Sequence, residues 1–599
     1  MGNPPSPAGL RTARLFIVPL MLSLYSFPYL ATTVALKSKQ VPFSFAADLS
    51  FYLNLSNIGS SNLNPYFGTT IQSSGMGHLT FDLAFKTMGL LVKLVNHDLW
   101  SAVLLWNLFW WTAICVGALW LLDLVLPEET PSILYAGITI LLFFNFGVVK
   151  ALLVAWLHFP SLTGFSAIPL PYIRTMFPQV PIGLLFFFLS LQIRALDEWY
   201  WYNWAGMCML QALAFATFPY AMLIMAGTTA VALLADRAAL RRLSSLRTVV
   251  AYGAACAAFD VVILLSKMKL DTQHSQLALV DIHLSRAPSL VGGAFLLLVV
   301  LTAVTAAAPP ARSRVTKWTI VGLGIATGLL MLGDIVFSKA LLISSHGGYF
   351  IHSTVSLQIA NLMALTFVRF RDNTRWLRAA CFGTAVAMIM NGLVLAFADY
   401  RYFLPENSAT NKLAVALRSR SVKMDDLVIA RAESVDDSCA WVPLVSSARV
   451  LFCRSAQYEL GVQEKQNLYR FRQALYLYFI GKDTDEIERV ANDPGDVADQ
   501  DRLAFAGEID PSDKERSEAA KISIKTDLVP LLSRVQQGND EIQSFFSHYP
   551  RIVVIDDATN PTFVRHRLSQ YLSIDSESRV GDFVFLSGRG YLKYSGTRN

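Results

Sequence analysis

The chain has 599 residues, of which 54% are hydrophobic and 16% are charged, and its formal net charge is +6. Soluble proteins usually carry about a quarter charged residues, so this deficit, together with a mean hydropathy of +0.42, indicates an integral membrane protein. Outside the short loops the sequence shows no basic stripe interleaved with aromatic residues, so the positive charge does not predict nucleic-acid binding.

Apolar segments long enough to span a bilayer dominate the first two thirds of the chain. A spanning helix needs roughly 20 mostly apolar residues, and about eleven segments qualify. Proline removes a helix donor, so Pro219 divides the long stretch 203–235 into two spans. The count stays open by one or two, because 132–160 could hold one span plus a re-entrant piece. The predicted spans are 13–35, 100–122, 132–150, 179–195, 203–217, 219–235, 248–266, 289–308, 316–336, 350–368 and 377–398.

Basic residues in short loops predict the orientation. They precede the first span and follow the sixth, eighth and tenth, so with eleven spans all four groups fall on the cytoplasmic side with the N-terminus. The first apolar segment shows no convincing cleavage site and is interpreted as a retained span. The four groups are Arg11 and Arg14; Arg237, Arg241, Arg242 and Arg247; Arg312, Arg314 and Lys317; and Arg369, Arg371, Arg375 and Arg378.

The character of the sequence changes near residue 404, where charged residues become frequent. We therefore predict a membrane domain over 1–403, with an outer loop at 36–99, and an extracytoplasmic α/β domain over 404–599. Strands are expected at 426–432, 449–453, 551–555 and 582–586, helices near 461–480, 512–536 and 561–573, and a polar, acidic loop at 483–520. An oxidising compartment would permit a disulfide between Cys439 and Cys453, and the alternative of two packing cysteines stays open.

Polar residues collect in the predicted outer loops. Two more acids, Asp260 and Asp334, lie inside spans, where carboxylates are rare and usually face a cavity or a partner. Together they suggest a polar cleft open to the outside. The sequence shows no Walker loop, HExxH or GxSxG motif. The outer-loop residues are Asp48, His78, Asp82, His158, Arg174, Asp271, His274, Asp281, His283, Arg286, Lys339, His346 and His352.

Three stretches carry a family resemblance. The first loop has Asp48 soon after the membrane exit, then a Tyr/Leu-rich run, then Asn64-Pro65-Tyr66 and Gly77-His78-Leu79. The second stretch is Arg174 to Pro178, followed by a glycine-containing span and the break at Pro219. The third is the C-terminal series DDLVIA, ARVLF and YPRIVVIDD. This pattern resembles GT-C membrane glycosyltransferases of the bacterial type, which use polyprenyl-phosphate-linked sugars and carry an extracytoplasmic α/β domain.

The resemblance implies an inverting hexosyl- or pentosyltransferase in a bacterial cell membrane, whose partners are the bilayer, a polyprenyl-phosphate sugar donor and an extracytoplasmic glycan, lipid or protein acceptor. Asp48 would be the general base that takes the proton from the acceptor hydroxyl. Arg174 would grip the leaving lipid phosphate, because guanidinium pairs with phosphate in a bidentate way. Secondary contacts would come from His346, His352, Lys339, His78 and Tyr52. Many family members have a second acidic residue, for which Asp82, Asp271 and Asp281 qualify without a clear motif, so a divalent metal ion stays open.

Structural interpretations stand beside these roles. Asp48 could cap a helix or lie solvated in a loop, and Arg174 could extend to lipid headgroups. His346 and His352 could pack at the interface. For the whole chain, the alternatives are a transporter or flippase of lipid-linked glycans, or a catalytically inactive relative that serves as a scaffold in polysaccharide assembly.

Overall fold

The structure is a computed structural model, and in its described residues twelve helices of more than one turn precede a small mixed sheet. The residues it describes are 7–37, 42, 49–50, 52–54, 56, 82–128, 130, 132–143, 172, 175–176, 178–235, 243–268, 293–332, 343–369, 374–432, 438–453, 463–492, 522, 524–538 and 540–591. The first twelve of its helices are α1 (Pro7–Leu36), α2 (Asp82–Leu94), α3 (Leu99–Val125), α4 (Ser132–Phe143), α5 (Gln179–Glu198), α6 (Trp201–Thr217), α7 (Pro219–Ala235), α8 (Leu243–Met268), α9 (Gly293–Ala307), α10 (Arg314–Met331), α11 (Ile343–Arg369) and α12 (Thr374–Ser419).

Every predicted span overlaps one of these helices, and α2 is the additional one. The break at Pro219 is confirmed, since α6 ends at Thr217 and α7 begins at Pro219. Among the described residues, five helices are long and apolar enough to cross a membrane, which agrees with an integral membrane protein. The count of about eleven spans stays a prediction. The five are Phe16–Leu36, Leu99–Val125, Gln179–Glu198, Ser245–Ile263 and Gly348–Arg369, and shorter apolar helices cover Leu134–Phe143, Pro219–Ala235 and Phe295–Ala307.

Small residues bring helices α7, α9, α10 and α11 close together. A Cβ atom added at Gly322 of α10 would lie 2.8 Å from the carbonyl oxygen of Thr228 on α7. One added at Gly324 would lie 2.3 Å from Thr302 Oγ1 and 2.4 Å from Gln358 Nε2. Those two side chains hydrogen-bond each other at 2.7 Å, so the absence of a side chain at Gly324 leaves room for a polar contact between α9 and α11. Such small-residue packing is typical of membrane helices.

The C-terminal region folds around a five-stranded sheet, as expected for an α/β domain. Its strand order is β2-β1-β3-β5-β4, with β2, β1 and β3 parallel and with β3, β5 and β4 antiparallel. The elements are β1 (Leu427–Ile429), α13 (Ser438–Ser446), β2 (Arg449–Val450), α14 (Gln463–Phe479), α15 (Thr484–Asn492), a π-helical turn (Ile524–Leu528), α16 (Val529–Gln537), α17 (Asp540–Ser547), β3 (Ile552–Asp557), α18 (Arg565–Ser569), β4 (Leu572–Val580) and β5 (Phe583–Gly590).

Two local predictions for this region need correction. The helix expected at 561–573 is only α18, and the chain then enters β4, a strand the sequence did not predict. Residues 484–492 of the expected acidic loop form α15. The domain boundary at 403 stays a prediction, and α12 continues past that position as far as Ser419.

Candidate functional site

One end of the helix bundle is covered by the C-terminal region. Residues 49–50, 52–54 and 56, from the loop after α1, are helical where described. The fully buried Asn54 donates a hydrogen bond from Nδ2 to the carbonyl oxygen of Ala440 in α13, at 2.8 Å. Beside it, Leu444 of α13 packs against a small cluster that includes Leu99, the first residue of α3. The first loop and the C-terminal region therefore meet at the end of the bundle where α3 begins.

The opposite end of α3 meets the arginine-containing loop before α10. Arg312 donates to the carbonyl oxygens of Asp123 and Leu126, the latter at 2.9 Å, and lies 3.6 Å from a carboxylate oxygen of Glu128. Arg314 reaches the carbonyl oxygen of Ala235 at the end of α7, at 3.0 Å. Since α3 has 27 residues, these loops lie about 40 Å from its first residue. The last residues of α3 and α7 and the loop before α10 thus lie together, at the end remote from α13.

A buried group of neutral side chains surrounds the C-terminal end of α4. The hydroxyl of Tyr172 and Nε2 of His352 each lie 3.2 Å from the carbonyl oxygen of Leu142. Tyr172 also shares a 2.6 Å hydrogen bond with the hydroxyl of Ser353. A membrane interior offers little water that could bond to backbone carbonyl oxygens, so protein donors matter there. Tyr172 and His352 provide such donors here.

The adjacent carbonyl oxygens at the same helix end are reached from two other helices. Tyr25 of α1 donates its hydroxyl to the carbonyl oxygen of Phe143. Ser356 of α11 donates to that of Leu141 at 3.4 Å. Together the four side chains connect α1, α4, α11 and the chain at Tyr172 through one short backbone segment, which we call the α4 cap.

Tyr172 is tied into the bundle through its backbone as well. Trp111 of α3 donates its indole N–H to the carbonyl oxygen of Tyr172, at 3.1 Å. Gln179, which begins α5, donates to Asn107 of α3 at 2.9 Å. From the helical rise, these contacts lie about 12 to 18 Å along α3 from Leu99, below the end that α13 covers. The described neighbours of Arg174 are therefore held inside the bundle, whereas those of Asp48 lie at its end.

Of the predicted site residues, the structure describes the side chains of Tyr52, His352, Cys439 and Cys453. It describes only the backbone of His346, inside α11, and of Asp82, the first residue of α2. The roles assigned to all of these residues stay predictions. The predicted residues that lie outside the described part of the chain are Asp48, His78, Arg174, Asp271, Asp281 and Lys339.

Tyr52 is half-buried, and its ring centroid lies 5.9 Å from that of Phe85 in α2. Its carbonyl oxygen accepts a hydrogen bond from Ser56 at 2.7 Å. These contacts give Tyr52 a packing role between the first loop and α2. His352 likewise packs on another ring, that of Tyr172, at 6.3 Å. The contact of His352 agrees with the packing interpretation of that residue, and the predicted substrate contacts of both residues stay untested.

In the C-terminal region a small cavity lies where the parallel strands β1 and β3 end, an edge at which open α/β sheets commonly bind ligands. Its volume is about 200 Å³, and its lining includes Arg431, Trp441, Asp556 and Asp557. Both carboxylates bind their own loop: Asp556 accepts from the backbone N–H of Thr562 and Phe563. Hydrogen bonds from Thr559 lower the pKa of Asp557, helped by Asn560 and Arg431, so it is ionised at neutral pH.

The two cysteines considered for a disulfide are both fully buried. Cys439 lies in α13 and Cys453 follows β2. The disulfide stays a prediction. Within the described ranges, no three His, Cys, Asp or Glu side chains converge in a way that could hold a metal ion. The side chains of the candidates for a second acidic residue, Asp82, Asp271 and Asp281, lie outside the described part of the chain, so the metal requirement stays open.

Comparison with known proteins yields similarity to solved structures. No family model matches the chain, and no curated protein matches it. Among solved structures, it is similar to ArnT from Cupriavidus metallidurans, in a crystal structure of the apo state, with 12% sequence identity, a TM-score of 0.39, and coverage of 96% of this chain and 97% of that one. Identity and overlap at this level establish neither a shared fold nor a shared activity.

Proposed function

We propose that this chain is a membrane glycosyltransferase of the GT-C type. It transfers a sugar, with inversion, from a polyprenyl-phosphate donor to an acceptor on the outer side of the membrane. Asp48 serves as general base and Arg174 binds the donor phosphate. The N-terminus and the arginine-containing loops face the cytoplasm, and residues 404–599 form the outer domain.

The observation that carries this proposal is the junction between the first loop and α13. A lipid-linked donor keeps its tail in the bilayer and presents its phosphate at the boundary, so the catalytic groups must lie at one end of the bundle. Leu49 and Ser50, which follow Asp48, are buried at that end, and Asn54 fastens the same segment to Ala440. An acceptor approaching from outside would meet this junction before it reached the bundle.

The α4 cap adds a physical reason for a phosphate contact near Tyr172. Tyr172 is held by three hydrogen bonds, and Thr175 and Met176, on the other side of Arg174, are also buried. Cations that stabilise a leaving phosphate act most strongly where water is limited and where their supports are rigid. The neighbours of Arg174 meet both conditions.

The test uses the full chain in membranes with a panel of polyprenyl-phosphate hexoses and pentoses, and it measures release of polyprenyl phosphate. We expect Asp48→Asn to lower the rate by about 10²- to 10⁴-fold, the usual contribution of a general base. Arg174→Gln should lower it by about 10²- to 10³-fold, as the loss of one preorganised charge contact does.

Two matched variants control for folding. Asp98 caps α3 by accepting from the backbone N–H of Trp100 and the hydroxyl of Ser101, and Asn can also cap a helix, so Asp98→Asn should keep full activity. Arg194→Gln removes a cation that lies on the ring of Trp120, in the half of α5 remote from the α4 cap, and should behave likewise. Full turnover by Asp48→Asn would refute the assigned base. If the parent chain bound donors tightly without turnover, the alternative of a catalytically inactive scaffold would be favoured.

A further inference from the structure

A second cavity opens at the end of α12, on the side of the sheet remote from the strand ends described above. Its volume is about 400 Å³, at the small end of the range of about 300–1,000 Å³ for ligand pockets. Three arginines line it, together with serines from the sheet and one acidic residue, Asp575. The arginines come from three places in the sequence: Arg420 directly follows α12, Arg551 precedes β3, and Arg589 lies on β5.

One of these arginines has a structural role. Arg551 donates to the carboxylate of Asp426, with its Nε 3.1 Å from the accepting oxygen. The side chain of Asp426 is only 5% exposed. Arg551 also donates to the carbonyl oxygens of Arg420 and Ser421, at 3.3 and 2.7 Å. The C-terminal end of a helix is electrically negative and would repel an anion. Arg551 occupies the carbonyl oxygens there, so the wall formed by α12 presents guanidinium groups instead.

The other two arginines have no comparable structural role. The side chain of Arg420 is exposed, and among the described residues no carboxylate forms an ion pair with it. Arg589 is 77% exposed and lies 3.9 Å from Asp575, a distance at which such surface pairs contribute little. The three arginines are balanced by only two aspartates, Asp575 in the lining and Asp426 beside Arg551. The mouth of the cavity therefore keeps a net positive charge at neutral pH.

Hydroxyl groups form the floor of the cavity. Ser576 and Ser578 lie on β4, and Ser587 lies on β5 opposite Ser576 in the sheet register. Serine hydroxyls can donate and accept hydrogen bonds, as sugar hydroxyls can. Guanidinium groups pair with phosphate or carboxylate oxygens. The combination matches a saccharide that carries an oxyanion better than it matches a neutral sugar or a bare anion.

We infer that this cavity binds an anionic saccharide, in which a phosphate ester or a carboxylate contacts Arg420 and Arg589 and the sugar hydroxyls contact the serines of β4 and β5. The site belongs to the C-terminal region and is separate from the proposed transfer site. Its occupancy is measured as binding, so the inference stands or fails independently of the glycosyltransferase assignment.

The experiment is calorimetric titration of the full chain in detergent with glucose 6-phosphate, digalacturonate, glucose and inorganic phosphate. The first two probes distinguish a phosphate ester from a carboxylate as the anionic group. We expect at least one of them to bind more tightly than both glucose and inorganic phosphate, and the binding to weaken with added salt. Arg420→Gln should weaken it about tenfold, the effect of losing one charged hydrogen bond.

Arg418→Gln is the matched control, because it removes the same charge from an exposed residue two positions away that does not line the cavity. Ser587→Ala should weaken binding of the saccharide and leave inorganic phosphate unchanged. Three results would overturn the inference: binding by neither anionic saccharide, equal affinity for inorganic phosphate, or equal losses in Arg420→Gln and Arg418→Gln.

Discussion

The two ends of the helix bundle are held together by different chemistry. At the end near Arg312, exposed or half-exposed guanidinium groups reach backbone carbonyl oxygens of neighbouring loops. At the end near Asn54 a buried amide performs the same task, and further inside that half of the bundle so do the buried phenol, imidazole and hydroxyl groups of the α4 cap. Charged donors are tolerated where water can reach them, whereas a dry site needs neutral donors with full partners. The neutral half of the bundle is therefore the one suited to exclude water, as the proposed transfer site requires.

The largest effect is expected from truncating the α4 cap at Tyr172. Tyr172→Ala removes a fully buried ring and its hydrogen bonds to Leu142 and Ser353, and should lower the free energy of unfolding by about 3–5 kcal/mol. Tyr172→Phe keeps the ring and should cost about 1–3 kcal/mol. Thermal unfolding in detergent measures both. Equal stability of the parent and Tyr172→Ala would show that the cap does not hold the bundle together.

A smaller and more local effect is expected at the junction. Asn54→Ala leaves the carbonyl oxygen of Ala440 without its amide partner, at a cost of about 1–3 kcal/mol. Hydrogen exchange should then accelerate in α13 and leave β4 and β5 unchanged. Ser56→Ala is the control, because among the described residues the Ser56 hydroxyl bonds within its own segment, to the carbonyl oxygen of Tyr52. Unchanged exchange in α13 of the Asn54 variant would mean that the two regions associate by other contacts.

The smallest effect is expected at the charged end. Arg312→Gln loses bonds to the carbonyl oxygens of Asp123 and Leu126, which water can replace in part, so unfolding in detergent should become easier by about 1 kcal/mol. Glu128→Gln breaks only the exposed ion pair and should change stability by less than about 0.5 kcal/mol. If Arg312→Gln lowered the free energy of unfolding as much as Tyr172→Ala, the contrast between the two ends would be removed.

Where a residue pattern is local, the sequence predicted the fold well. The division at Pro219 follows from one residue, and the strands β1 and β3 follow from short apolar runs. The strand β4 was missed because most of its side chains are exposed and polar, as in a protected edge strand, so it shows no apolar alternation. The helix α15 was missed because its buried residues, Ile487 and Ala491, stand in a highly charged stretch.

The contacts of the candidate site depend on residues distant in sequence. Tyr172 meets Leu142 and Ser353, which lie 30 and 181 positions away, and Asn54 meets Ala440 across 386 positions. No local periodicity encodes such pairs. The charge of Arg312 marked it as a loop residue on the predicted cytoplasmic side, but no sequence pattern predicted which carbonyl oxygens it would contact. The side of the membrane on which each loop lies stays a prediction from the sequence, and the structure adds the contacts that hold the described loop residues in place.

The central claim is that the first loop and the C-terminal region share the outer side of the membrane, opposite the arginine-containing loops. Labelling of intact bacterial cells with a membrane-impermeant maleimide tests it, using Lys93→Cys, Gln537→Cys and Glu128→Cys at exposed positions, with the parent chain as background. We predict that the first two variants label in intact cells and that Glu128→Cys labels only after permeabilisation. Labelling of Glu128→Cys together with Gln537→Cys in intact cells would contradict the account.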